Sequence, residues 1–130
     1  MAPRPPRTYR VIVPEIPMAR NKRERAHWAL RRSEKQTWLE FIAYLGGRRI
    51  PTCRLGEHRT VQIHFDKGPR GKLDDDDNLP GRCKSILDCL TELGVLWDDD
   101  PKHCHLERTT QTARSDERRT IISITVGENQ

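Results

Sequence analysis

Hydrophobic and polar positions follow two different periods along this chain, and the changes of period mark six elements. Residues 9–13 (YRVIV) read as a strand closed by Pro14 and Pro17. Trp38, Phe41, Ile42 and Leu45 recur at helical spacing and predict a helix over residues 33–45, with Gly46 and Gly47 as its stop. Residues 60–66 alternate instead. Val61, Ile63 and Phe65 take one face and Gln62, His64 and Asp66 the other, which is the pattern of a half-buried strand. Pro80 fits the first turn of a second helix, where its missing N–H costs little. In that helix Cys83, Ile86, Leu87, Leu90 and Leu93 form the apolar stripe and Gly94 ends it. Residues 103–112 read as a strand, 113–118 as a polar turn and 119–126 (RTIISITV) as the last strand. The order β-α-β-α-β-β predicts an α+β (mixed α/β) domain, one sheet of about four strands layered with two helices. With no repeat and no dividing linker, residues 1–130 form a single domain, and the proline-rich residues 1–7 predict a frayed arm.

Charge changes this picture more than composition does. Hydrophobic residues make up 34% of the chain and charged residues 33%, so much of the surface faces charged partners. The net charge of +5 is unevenly spread. Residues 1–50 carry twelve Lys and Arg against four Glu, a net +8, whereas residues 74–100 carry nine Asp and Glu against Arg82 and Lys84, a net −7. A basic surface around a compact acidic centre suits a protein that grips phosphates with Lys and Arg and holds a metal with carboxylates. A purely structural DNA binder gains nothing from the acidic centre. Arg20, Lys22, Arg23 and Arg25 lie in the basic connection of residues 18–25, and Arg31 and Arg32 fall off the apolar stripe of the first helix. These six are the candidate DNA contacts.

The cysteines, Cys53, Cys83, Cys89 and Cys104, show neither a CxxC pair nor disulfide-dense spacing, and no secretory apolar region follows MAPRPPR. Reduced thiols in a cytosolic protein are expected. No apolar run approaches the ~20 residues that span a membrane. His103 and His105 would share one face of a strand with Cys104 on the other, a weak zinc signal.

The acidic centre consists of two runs, residues 74–77 followed by Asn78, and residues 98–100, joined by the second helix. Like charges held close repel, and a bound divalent cation removes that cost; hard cations such as Mg²⁺ take oxygen ligands. The plainer reading is a solvated acidic loop. A calcium-binding loop with Gly81 at its sixth position would put Pro80 at the fifth and Leu87 at the twelfth, where ligands are required, and no phosphate-cradling glycine loop occurs. In an extended segment Asp75 and Asp77 point the same way and can share one ion, with Asp99 completing the site from beyond the helix. Lys84 and Asp88, four apart, sit next to each other on the helix. Trp38 belongs to the core by its spacing, Trp97 is placed beneath the metal site, and Trp28 has no assigned role.

The constellation D-x-D-N-L … K-x-x-x-D … D-D, continued by LWDDDPK, covers residues 72–102 and resembles the RusA-type Holliday junction resolvases, particularly their phage-borne relatives. The resemblance sets a register. Its D-x-D falls on Asp75 and Asp77, its lysine on Lys84, its helical aspartate on Asp88 and its acidic pair on Asp98 and Asp99. Three extra residues separate Asn78 from Lys84 relative to the shorter family form, and Asp74, Asp76 and Asp100 are additional carboxylates. The resemblance implies a catalytic set of Asp75, Asp77, Lys84 and Asp99, metal ligation by Asp75, Asp77, Asp98 and Asp99, and supporting roles for Asn78 and Asp88. It further implies Mg²⁺ as cofactor with Mn²⁺ as substitute, a homodimer, and endonucleolytic cleavage of four-way DNA junctions in recombination and repair. The setting it implies is the cytoplasm of a bacterial host, with a prophage as one source of the gene. Two other readings stay open: a non-catalytic DNA-binding protein, and a metal-dependent nuclease acting on flaps or single strands.

Overall fold

A computed structural model describes residues 5–18, 28–74 and 79–127. Five strands and two α-helices follow one another as β1 (Arg7–Val13), α1 (Trp28–Tyr44), a 3-10 turn (Gly47–Arg49), β2 (Arg59–Lys67), α2 (Leu79–Glu92), β3 (Cys104–Leu106), β4 (Thr110–Thr112) and β5 (Arg118–Val126). The fold is α+β, with all strands in one mixed sheet of order β1-β5-β2-β3, and β4 also paired to β2.

The sheet is assembled from the two longest-range pairings. β5 runs antiparallel to β1 (Val11 opposite Ile122) and to β2 (Ile63 opposite Ile122). Its alternating sequence therefore puts Ile122 and Ile124 on the same face as Val11, Val13, Val61, Ile63 and Phe65. All of these are buried, together with Trp38 and Ile42 of α1 and Ile86 and Leu90 of α2. Burying one such side chain is worth roughly 1.5–3 kcal/mol, so this single apolar layer between sheet and helices is the main source of cohesion. Between β2 and its parallel neighbours β3 and β4 lies α2, the crossover that parallel strands require. The buried guanidinium of Arg59 pins the start of β2. It donates to Glu57 and to the carbonyls of Pro51 (2.6 Å) and Val95 (2.9 Å), tying the strand to the loop that leaves α2.

Several expectations need correction. α1 begins at Trp28 rather than near residue 33: its first turns are made of good helix formers such as Ala29, Leu30, Arg31 and Arg32, but they bury nothing and so carry no apolar stripe. Leu45 and Leu93, assigned to the stripes, lie just past the helix ends and are 39% and 36% exposed. The strand expected over residues 103–112 is broken into β3 and β4: Leu106 lies opposite Val61 but Thr110 opposite His64, so one extra residue is accommodated between them and the register on β2 shifts. Lys67, one residue beyond the expected strand, is the buried last residue of β2. Arg7, expected in a frayed arm of residues 1–7, instead belongs to β1 and pairs with Val126; residues 1–4 lie outside the described residues. Gly94 does end α2 as expected: it has positive φ (78°), and the next N–H, of Val95, returns to the Leu90 carbonyl at 2.9 Å. Among the described residues no helix is long and apolar enough to cross a membrane.

Candidate functional site

Asp74 and Asp100, the outer carboxylates of the two acidic runs, are both engaged in holding the fold. Asp74 accepts from Lys67 Nζ (2.7 Å) and from Arg82 Nε (2.7 Å) and Nη2 (3.2 Å). Partial burial pushes its carboxyl up, and the hydrogen bonds from Arg82 and Lys67 outweigh that and leave it below the ordinary carboxylate value. Its backbone is held as well, since its N–H donates to Gln111 Oε1 (2.8 Å) and its carbonyl accepts from Gln111 Nε2 (3.1 Å). At the far end Asp100 closes a turn. Its Oδ1 accepts the N–H groups of Lys102 and His103, both at 3.1 Å, and pairs with His103 Nδ1 at 2.7 Å. Runs of identical residues carry no internal register, so neither role was visible in the sequence.

In the second run Asp99 faces Lys84. From the second turn of α2 its ammonium hydrogen-bonds Asp99 Oδ2 and pairs with Asp88 Oδ1 at 3.2 Å. The bond from Lys84 lowers the Asp99 carboxyl below the ordinary value, against a smaller opposing effect of burial. The hydrogen bond to Asp99 raises Lys84 in turn, with partial burial opposing and Asp88 adding to the rise, so the group stays an ammonium at neutral pH. Asp98 is exposed and its Oδ1 accepts the Asp99 N–H at 2.7 Å, which fixes the turn that presents Asp99. The Lys84–Asp88 neighbour relation was legible from the i,i+4 spacing; the closer contact with Asp99, fifteen residues on, was not.

The remaining expected residues divide cleanly. Asp75, Asp76, Asp77 and Asn78 lie outside the described residues, as do Arg20, Lys22, Arg23 and Arg25. Arg31 and Arg32 are exposed on α1, and Lys35, farther along the helix, bridges to Glu92 of α2 at 2.8 Å. Trp38 is buried in the core as expected, and Trp28 is 60% exposed. Trp97, expected beneath the metal site, is 45% exposed, while its neighbours Val95 and Leu96 are buried in the core. Between His103 and His105, Cys104 is buried, and burial together with nearby Asp99 and Asp100 pushes its thiol up to about 11, so it is a neutral thiol at neutral pH.

Among the described residues no three His, Cys, Asp or Glu side chains converge as a ligand set. The described members of the expected set, Asp98 and Asp99, offer carboxylate oxygens only, a donor chemistry that fits a hard cation such as Mg²⁺. A cleft of about 460 Å³ opens beside Arg82, between the β1 exit and α1, over Ile16, Pro17, Leu30 and Trp38. Arg82 and Lys84 project from roughly opposite sides of α2, because two residues turn a helix by about 200°. That cleft therefore lies away from the Lys84 cluster. Sequence reasoning missed Lys67, Arg82 and Gln111, which together hold Asp74; Lys67 lies just past the alternating residues, Arg82 entered only as a counted charge, and a glutamine inside a strand gives no signal. No protein-family model matches this chain, and no curated protein matches it.

Proposed function

We propose that this protein is a Mg²⁺-dependent, structure-selective endodeoxyribonuclease that resolves branched DNA such as four-way junctions, as a homodimer with two sites for two strands. The observation that carries the reading is the Lys84–Asp99 pair, with Asp98 beside it and Asp88 behind it. It is supported by the resemblance of residues 72–102 to the RusA-type resolvases and by the exposed basic residues of α1. Closed two-fold symmetry matches a two-fold substrate. The reading carries with it a cytoplasmic setting in a bacterial host or prophage.

In this reading Asp75, Asp77, Asp98 and Asp99 hold the cation through carboxylate oxygens, with Asn78 ordering the turn beside them. When bound, Mg²⁺ supplies polarisation of a phosphate oxygen and a lower pKa for an attacking water. Lys84 supplies a compact positive charge beside the scissile phosphate, where charge grows as the water adds. Being held as an ammonium, it acts as a point charge and not as a general base. Asp88 keeps a second grip on Lys84 and restricts where that charge sits. Arg31 and Arg32, with Arg20, Lys22, Arg23 and Arg25, contact backbone phosphates and set affinity without reading sequence.

The test is a gel assay with labelled four-way junction, matched duplex and flap, with and without Mg²⁺. Symmetric nicks in the junction that stop with EDTA, while binding survives, are expected. Junction binding with no cleavage in Mg²⁺ or Mn²⁺ would make the protein a DNA binder. Preferential cutting of the flap or of single strands would assign it to the other nuclease class.

A further inference from the structure

We propose that Trp97 is a base-stacking residue, which lays its indole against an unpaired base next to a phosphate held at Lys84. The inference rests on the proposed function and deepens it by naming what the site takes, a nucleic-acid strand with a base out of its stack. Trp97 is 45% exposed, although Val95 and Leu96 just before it are 2% and 1% exposed. Singly exposed apolar side chains are ordinary. Trp97 differs in how firmly it is mounted and in what stands beside it.

The chain that carries it is held from several sides. The Val95 and Leu96 N–H groups both return to the Leu90 carbonyl of α2, at 2.9 and 3.2 Å. Arg59 Nη1 donates to the Val95 carbonyl at 2.9 Å, and the Cys53 N–H to that of Gly94 at 2.8 Å. The Trp97 N–H itself faces the Cys53 thiol. Two residues on, Asp99 meets Lys84. Two residues of extended chain span at most about 7 Å, so a base flanking a phosphate at Lys84 lies within reach of the indole. The surroundings are charged: Asp98 and Asp99 follow in the chain, and the exposed Arg54 follows Cys53. The core of a protein–protein interface is depleted of charge, whereas an aromatic face beside cations that take phosphates is how single strands are bound. A side chain on a fixed backbone also loses little freedom when a base lands on it.

The experiment uses the full-length protein in EDTA, so that no strand is cut, and a single-stranded oligothymidylate of about ten nucleotides, within the site sizes such proteins cover. An abasic oligomer of the same length carries the same phosphates and no base. Trp97→Phe keeps an aromatic face, and Trp97→Leu keeps only apolar bulk. The emission of Trp97, taken as the difference between wild type and Trp97→Phe, should be quenched by the oligothymidylate and not by the abasic oligomer. Trp97→Leu should weaken oligothymidylate binding on the order of 5- to 150-fold, the cost of losing one stacked base, and leave the affinity for the abasic oligomer unchanged. Trp97→Phe should retain most of the wild-type affinity.

An equal loss for both oligomers in Trp97→Leu would overturn the proposal, since Trp97 would then act on phosphates or on the fold. So would wild-type affinity of Trp97→Leu for the oligothymidylate, or a Trp97→Phe protein that binds no better than Trp97→Leu. If Trp97→Leu does not fold, the emission decides: quenching by the abasic oligomer as strong as that by the oligothymidylate overturns the proposal. The outcome for the nuclease is separate. A protein that cuts junctions in Mg²⁺ yet is not quenched by the oligothymidylate overturns the stacking and leaves the nuclease. One that is quenched by the oligothymidylate but cuts no DNA overturns the nuclease and leaves the stacking.

Discussion

At the scale of single residues, aspartates from the same two runs have been put to opposite uses. Asp74 and Asp100 are spent on the fold, while Asp99 is turned toward Lys84 and Asp98 holds its backbone N–H. If Asp75, Asp77 and Asp99 hold the cation, Asp75→Asn, Asp77→Asn and Asp99→Asn each abolish cleavage while junction binding largely persists. The amide keeps the shape and loses the charge that the cation needs. A parallel binding and cleavage assay checks this, and wild-type cutting by any of the three would show that residue lies outside the site. For Lys84→Ala the expected loss is on the order of 10² to 10³ in the single-turnover rate, the cost of one electrostatic group at a transition state. Its melting temperature should barely move, since Lys84 is more than half exposed and an exposed pair contributes only a few tenths of a kcal/mol. Lys84→Arg should rescue only in part, because a planar guanidinium does not replace a compact ammonium. A Lys84→Ala protein that melts early but cuts at the wild-type rate would assign the lysine to the fold.

Elements were legible in the sequence wherever burial had a period. The alternation of Val61, Ile63 and Phe65 and the stripe of Cys83, Ile86, Leu87 and Leu90 match the buried faces of β2 and α2. Where polar groups do the packing, the pattern says nothing. Lys67 is buried against Asp74, and Arg59 is 1% exposed yet no hydrophobic scale would place it inside. The division between β3 and β4 is equally hidden, because it depends on how each half meets β2 and not on its own residues. Within the candidate site, residue types were legible, while the assignment of Asp74 and Asp100 to the fold required the three-dimensional partners. Arg59 gives a test at this scale. Arg59→Met should lower stability by about 3 kcal/mol, because Glu57 and the carbonyls of Pro51 and Val95 lose their donor in a largely buried place. Urea unfolding measures it, and a midpoint equal to wild type would mean that water replaces the guanidinium without cost.

For the molecule as a whole, the paired carboxylates set the acid limit. Asp66, Asp74 and Asp99 are each held below their ordinary value of 3.8: Asp66 first by its bond from Arg119, Asp74 by Arg82 and Lys67 against an opposing burial, and Asp99 first by Lys84. A carboxyl lowered in the folded state contributes stability that is fully present above its unfolded value and is lost as pH falls through the folded one. Thermal melts by circular dichroism should therefore show a decline that steepens below about pH 4; an equal melting temperature at pH 6 and pH 3 would contradict these pairings. The strand order has a consequence of another kind. β5 is made after β1 and β2, yet it stands between them, and Arg7 finds its partner only in Val126. The sheet cannot be completed until synthesis has passed residue 126, and a high share of such distant pairings slows folding. A chain ending at Glu117 should show no cooperative melting transition, whereas a sharp one would mean that β1, β2 and the helices form a stable unit without their central strand. During synthesis, then, the edges of β1 and β2 wait unpaired for the strand that joins them, and the nascent chain is most exposed to aggregation before residues 118–126 appear.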